Sequence, residues 1–352
     1  MMDPIELLKC IITIPSFSKE EGAVAAFMEV IWAENGYTAH RNGNNVWVVS
    51  KHYSAEKPTI LLDAHIDTVM PSADWETDPF IPTVVDGKLY GLGSNDTGGS
   101  VVSMLTAFLS LDTREQPYNL ICLHSAEEEN TGAGGIQSIV DELNMQFKIV
   151  LALIGEPTGM QAAIAEKGLM VLDCCAKGKA GHAARNEGIN AIYEALQDIE
   201  WFRNYEFPKK SDLLGSVKMT VTGIQAGTLH NVLPAECAFM VDVRSNEHYS
   251  NADILEIVKQ HVKSEVKPRS LTLNSSRISE EHVIVRRCKE LGRTIYGSPT
   301  TSNQAVIPWT SLKIGPGDSA RSHTANEYIY EKEIEEGVSI FVKLLDGLKI
   351  SF

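Results

Sequence analysis

Four short apolar runs, residues 46–49, 59–62, 119–123 and 149–154, constrain this chain more than any other feature. Stretches with helical periodicity, 100–111 and about 136–143, separate the later ones. Runs this short and this continuously apolar read as strands buried on both faces. Strands that alternate with helices predict an α/β fold with a mainly parallel sheet flanked by helices. An earlier helix is expected to start at a capping box, Ser18-Lys19-Glu20-Glu21, run through Ala33 and stop at Asn35-Gly36. From about Gly168 the pattern changes. Residues 170–176, 216–222 and 237–244 read as strands, with amphipathic helices at 189–202 and 252–262, which suggests an inserted α+β domain. Beyond Lys267-Pro268-Arg269-Ser270 the chain returns to helix at 281–291, a short strand at 311–314 and a last helix at 331–345. With 352 residues and roughly 150 per domain, we expect one domain from residues 1–167 and 275–352, and a second from 168–274.

Charge and cysteine usage exclude several partners. Thirty-one basic residues against 46 acidic ones give a net charge of −15, a poor footprint for nucleic acid or an anionic membrane. The start, Met1-Met2-Asp3-Pro4-Ile5-Glu6, carries acid where a signal peptide carries base. No apolar stretch approaches the ~18 residues of a membrane span. The six cysteines have no Cys-x-x-Cys spacing. They argue against a zinc ribbon or a disulfide scaffold and for reduced thiols in a cytoplasmic chain.

Five groups fall just past predicted strands: His65, Asp96, the run Glu127-Glu128-Glu129, Glu156 and His323. Ligands gather at the carboxyl ends of strands in open α/β sheets. Imidazole with carboxylate oxygen suits zinc, cobalt or manganese, and the lack of cysteine ligands leans away from a closed structural site. Singly, each position has a plainer explanation. The triple glutamate alone is a charged helix start, Asp96 alone an N-cap, and Glu156-Pro157 alone a turn. A dinucleotide loop at Gly91-Leu92-Gly93 fails, because Asp96 stands where the third glycine belongs.

Taken in order, His65-Ile66-Asp67, Asp96-Thr97-Gly98-Gly99, Glu127-Glu128-Glu129, Gly155-Glu156-Pro157-Thr158, Gly178-Lys179-Ala180-Gly181-His182-Ala183 and Ser322-His323-Thr324-Ala325-Asn326-Glu327 form a pattern. The sequence resembles the M20 metallopeptidase/deacylase family, in its acetylornithine deacetylase and succinyl-diaminopimelate desuccinylase branch. The resemblance runs over nearly the whole chain, from about residue 3 to residue 350.

The resemblance implies a zinc-hydrolase-type catalytic domain with an inserted lid and dimerisation domain. It implies two divalent ions, zinc first, with cobalt or manganese as alternatives. His65, Asp96 and Glu156 would hold one ion; Asp96 would bridge; Glu129 and His323 would complete the other. Asp67 would orient His65 by a hydrogen bond. Glu128 would be the base, since Gly134 sits five residues past Glu129 as the family pattern requires; a slip of one residue would make base and ligand Glu127 and Glu128. Two ions bring +4 against −3 from three ligand carboxylates, so one hydroxide completes neutrality. His182, at the start of a helical stretch, would reach a partner subunit's site as an oxyanion donor. The strand around 169–175 would offer an edge to that partner in a homodimer formed through the lid. Asn231 and Arg244 would hold a substrate carboxylate, and Thr301, Ser302 and Gly315 would line the same pocket. Two positions depart from the pattern: many members carry Lys where Gly98 stands, and several carry Asp where Asn303 stands.

The implied activity is a metal-dependent amidohydrolase that removes the acyl group from a small N-acyl amino acid. Acetylornithine or a close analogue (acetyl- or succinyl-citrulline, acetyl-lysine) in arginine or lysine biosynthesis is the first expectation. Succinyl-diaminopimelate desuccinylation and di- or tripeptide cleavage are the alternatives. A non-catalytic ligand-binding paralogue is disfavoured because every ligand and base position is filled. A serine hydrolase is disfavoured for lack of a Gly-x-Ser-x-Gly elbow.

Overall fold

The computed structural model describes residues 2–185 and 187–350; Met1, Asn186, Ser351 and Phe352 lie outside it. The chain divides into two compact units. One comprises residues 1–164, 278–296 and 302–352; the other comprises 165–277 and 297–301. The short segment 297–301, which the sequence reading placed in the first domain, therefore groups with the second.

The first unit is built on a mixed sheet whose centre is parallel. The strand Thr59–His65 lies between Asn119–Ser125 and Ile149–Ile154, and Ser311–Lys313 extends the parallel set beyond Ile149–Ile154. Antiparallel strands close the sides: Asn45–Val49 and then His40–Asn42 on one flank, Ala162–Glu166 on the other. Thr59–His65 and Asn119–Ser125 are buried at every residue, as parallel strands covered on both faces must be. On one face Leu61, Ile121 and Leu123 pack with Ile136, Ile139 and Leu143. On the other, Trp32 of helix Gly22–Glu34 and Phe108 of helix Gly99–Leu111 lock edge to face at 5.3 Å, and the Trp32 ring stacks over His124 at 5.7 Å.

Helix Gly99–Leu111 is buried nearly all round. It packs against the last helix, Glu331–Leu345, where the Ser103 hydroxyl donates to the Ile334 carbonyl. A helix that the apolar pattern left unread, Pro4–Ile12, starts with Asp3 as N-cap and proline in its first turn. The expected capping box at Ser18 is not one. The helix begins at Gly22 with Glu21 as cap residue, and no side chain caps it. Ser18 is engaged elsewhere.

The second unit is a four-stranded antiparallel sheet in the order Lys218–Ala226, Glu236–Ser245, Gly168–Lys177, Glu265–Pro268. Helices Ala191–Asn204 and Asn251–His261 cover it. Inward residues alternate along Gly168–Lys177, with Met170, Leu172, Cys174 and Ala176 joining Phe202, Phe239 and Val241 in one core. The strand expected to offer an edge is thus interior; the free edges belong to Lys218–Ala226 and Glu265–Pro268. His182 does not start a helix either. With Gly181 it forms a two-residue strand against Val232-Leu233, and the helix begins at Ala191. All six cysteines are free, and four are buried. Among the described residues, no helix is long and apolar enough to cross a membrane.

Candidate metal centre

The site is assembled at the carboxyl ends of the parallel strands. His65 closes its strand, and its buried ring is fixed at Nδ1, 2.9 Å from the backbone oxygen of Asp67 and 3.4 Å from Asp67 Oδ1. A carbonyl oxygen only accepts, so Nδ1 carries the hydrogen and Nε2 faces the cluster. There Nε2 lies 3.3 Å from Asp96 Oδ1 and 3.9 Å from Glu128 Oε2.

Asp67 does more than orient that ring. Its Oδ1 accepts from the Glu128 N–H at 3.0 Å, and its Oδ2 accepts from the Glu129 N–H at 3.1 Å and the Ser18 hydroxyl at 2.6 Å. One carboxylate therefore ties the histidine, the glutamate run and the Ser18 loop together. Glu127 is turned away from this cluster: its Oε2 accepts from the Gly134 N–H at 3.3 Å.

Asp96 divides its two oxygens. Oδ1 faces His65, and Oδ2 lies 3.6 Å from Nε2 of His323. The same His323 nitrogen is 2.9–3.0 Å from the Glu129 carboxylate. Ligand atoms of His65, Asp96 and Glu129 lie within 4.8 Å of one another, as do those of His65, Glu128 and Glu156. The loop carrying Asp96 is tight, with a cis Asp96–Thr97 peptide. Gly98, one of the two departures from the family pattern, has no room for a side chain: a Cβ there would sit 2.5 Å from the Gly93 oxygen and 2.5 Å from Leu8 Cδ1.

The electrostatics fit cations at this place. Glu128 is pushed up to about 8, first by burial and then by the charges of Glu129, Asp96 and Asp67, against the pull of His65. Glu156 is pushed well above the usual carboxylate range by burial and by Glu128 and Asp96. His323 rises to about 9 through its bond to Glu129. Four carboxylates converge on two imidazoles, with oxygen and nitrogen donors and no sulfur, a set that divalent ions of the zinc, cobalt or manganese type satisfy. Lys313, buried at the end of its strand, pulls Glu156 back toward the ionised form, against the rise caused by burial and by Glu128 and Asp96. Sequence reading did not single it out.

The remaining predicted positions fare differently. Gly315 serves the backbone: a Cβ there would meet Ser100 Oγ at 2.3 Å and the Glu156 oxygen at 2.6 Å, so glycine lets the two segments pass closely and sets Glu156. Ser302 accepts from the Gln304 N–H and starts a short 3₁₀ turn. Asn303 donates to Asp63 Oδ2 at 2.9 Å and to Ser125 Oγ at 3.0 Å, where an ionised Asp would face a buried like charge. Thr301, His182, Asn231 and Arg244 belong to the second unit. The Thr301 hydroxyl donates to the Lys167 carbonyl. The Arg244 Nε and Nη2 groups donate to Asp242 at 2.9 and 3.0 Å, occupying one edge of the guanidinium. The Asn231 carbonyl accepts from the Ala183 N–H next to His182.

Residues 61–347 match the sequence profile of peptidase family M20/M25/M40. The chain belongs to this family, and it is a metal-dependent hydrolase of linear amides. It is 25% identical over 290 residues to the succinyl-diaminopimelate desuccinylase of Wolbachia pipientis, covering 78% of this chain and 73% of that one. Its fold is similar to that of the aminopeptidase PepT of Bacillus cereus, with a TM-score of 0.78 and 15% identity over 98% of both chains. A dinuclear metal-binding peptidase of the M20 family from Bacillus subtilis superposes with a TM-score of 0.74 and 17% identity, over 97% of this chain and 96% of that one.

Proposed function

We propose that this chain is a two-metal N-acyl amino acid deacylase, with zinc as the first candidate ion. His65, Asp96 and Glu156 would hold one ion, Asp96, Glu129 and His323 the other, and Glu128 would be the base. The observation that carries this reading is the division of Asp96, one oxygen toward His65 and the other toward His323. When bound, the ions would polarise the amide carbonyl and lower the pKa of water. Glu128, held by its backbone on Asp67 and free of the His323–Glu129 pair, takes a proton from water and delivers it to the departing amine. Asp67 keeps His65 in the tautomer that donates a lone pair.

Acetylornithine or a close analogue is the first substrate proposed. Succinyl-diaminopimelate is the second, favoured by the name of the Wolbachia relative. Arg244 would grip a substrate carboxylate through the guanidinium edge that Asp242 leaves free. His182 Nδ1 accepts from the Ala184 N–H at 3.1 Å, which puts its proton on Nε2 and suits it to donate to an oxyanion. A homodimer through the second unit is supported by exposed Ile189, Tyr193, Leu196, Ile224, Leu229 and Val232. Amine release from a panel of acetyl and succinyl amino acids, before and after chelation and with zinc, cobalt or manganese restored, tests the reading. Activity that survives exhaustive chelation with no bound metal would overturn it.

A further inference from the structure

Glu327 lies four residues past His323 and more than two hundred from the Asp96 loop, yet its buried carboxylate fills the turn of that loop. Oε2 accepts from the Gly93 N–H at 3.0 Å, and Oε1 accepts from the Asn95 and Asp96 N–H groups at 2.8 and 2.9 Å. The Glu327 backbone oxygen takes a fourth hydrogen bond, from the Gly91 N–H at 3.1 Å. Asn95 answers from the other side. Its Nδ2 donates to the Asp318 carbonyl at 3.1 Å and to Ser322 Oγ at 3.3 Å, and its Oδ1 accepts from the Asp318 N–H at 2.9 Å.

Two loops far apart in sequence, one bearing Asp96 and one bearing His323, are thus stapled at both ends. Position 327 calls for two acceptor oxygens. Three N–H groups converge on its two oxygens, and an amide would turn a donor toward donors.

We infer that Glu327, with Asn95, is a positioning residue that holds the Asp96 and His323 loops as one rigid metal cradle, an inference that rests on the proposed ligand roles of those two residues. Outer groups that orient metal ligands typically contribute 10–100-fold to metal affinity. Glu327→Gln should lose zinc affinity at both ions by that factor, since Asp96 serves both. Asn95→Ala should weaken chiefly the ion held by His323.

The test is a zinc competition titration with a chromophoric chelator on the full-length wild type and both variants, with thermal unfolding of each metal-free chain alongside. The inference expects the Glu327→Gln curve to shift at least tenfold, and turnover to recover at excess zinc with the half-saturating zinc concentration raised. A Glu327→Gln curve that overlays the wild type, even with a lowered melting temperature, means a purely structural role and overturns the inference. If Glu327→Gln does not fold, Glu327→Asp, which keeps the carboxyl group but falls one methylene short, is read by the same shift. A wild type that itself binds no metal would instead strike the functional reading on which the inference stands.

Discussion

Replacing Asp67 by Asn probes the hub of the site by changing a single atom. Asp67 accepts from the Glu128 and Glu129 N–H groups, one on each oxygen, with the Ser18 hydroxyl sharing Oδ2. Asparagine offers one oxygen and one NH2, so either orientation points a donor at one of the two backbone N–H groups. Ser18 can rotate and accept instead; a backbone N–H cannot. The stranded donor costs about 1–3 kcal/mol, and the surviving bonds lose their charge assistance at roughly 1 kcal/mol each. Relief of burying the Asp67 charge returns part of this, leaving an expected loss of about 2–4 kcal/mol. His65 loses its anionic support at Nδ1, so zinc affinity should fall by about 10–100-fold. Urea unfolding of the metal-free chain reads the first number and zinc competition the second. Ser18→Ala is the control: both N–H groups keep their acceptors, and the loss should stay within about 0.5–1.5 kcal/mol. Asp67→Asn within about 0.5 kcal/mol of wild type, a change typical of surface substitutions, and with unaltered zinc affinity, would refute the hub.

Three further outcomes follow from the same geometry. His124 is fully buried, stacked under Trp32 with neither ring nitrogen hydrogen-bonded, and burial pushes it down to about 3. The unfolded chain binds the extra proton below about pH 6.5, so stability falls as pH drops from there toward 3. The loss is about 2 kcal/mol at pH 5 relative to pH 7, and urea unfolding should show that His124→Leu lacks this increment. Removing the His182 side chain should lower turnover by about 10²–10³ with metal content intact. Mixing His182→Ala with Glu128→Ala chains should restore about a quarter of wild-type activity, since half the dimers are mixed and each has one good site of two; no recovery despite proven subunit exchange would place His182 outside the partner's site. If Arg244 grips the substrate carboxylate, amidated substrates should lose about 2–5 kcal/mol in kcat/KM, and equal rates on acid and amide would remove it from that role.

The parallel core was legible because burial on both faces leaves a continuous apolar run. Ile149–Ile154 ends where its pattern ends, and Thr59–His65 continues just far enough to carry His65 to the sheet's edge. The cluster itself was readable only as a set of motifs, since each ligand follows a different strand. What stayed hidden is long-range polar bonding. Ser18 has the local signature of a helix cap, and nothing nearby reveals that its hydroxyl serves Asp67, 49 positions on. Glu327 lies inside a motif that was read, yet its task is set by three N–H groups more than 230 residues earlier. The edge expected at 169–175 was lost because Glu265–Pro268, a strand with no apolar run to announce it, covers that side.

The central claim is that Glu128 handles the proton while the residues around it hold two ions. Metal analysis of purified Glu128→Gln, beside Glu129→Gln and wild type, tests it most directly. The account predicts two ions per chain and turnover lowered by at least about 10² in Glu128→Gln, with loss of an ion in Glu129→Gln. An ion lost from Glu128→Gln and retained in Glu129→Gln would contradict it.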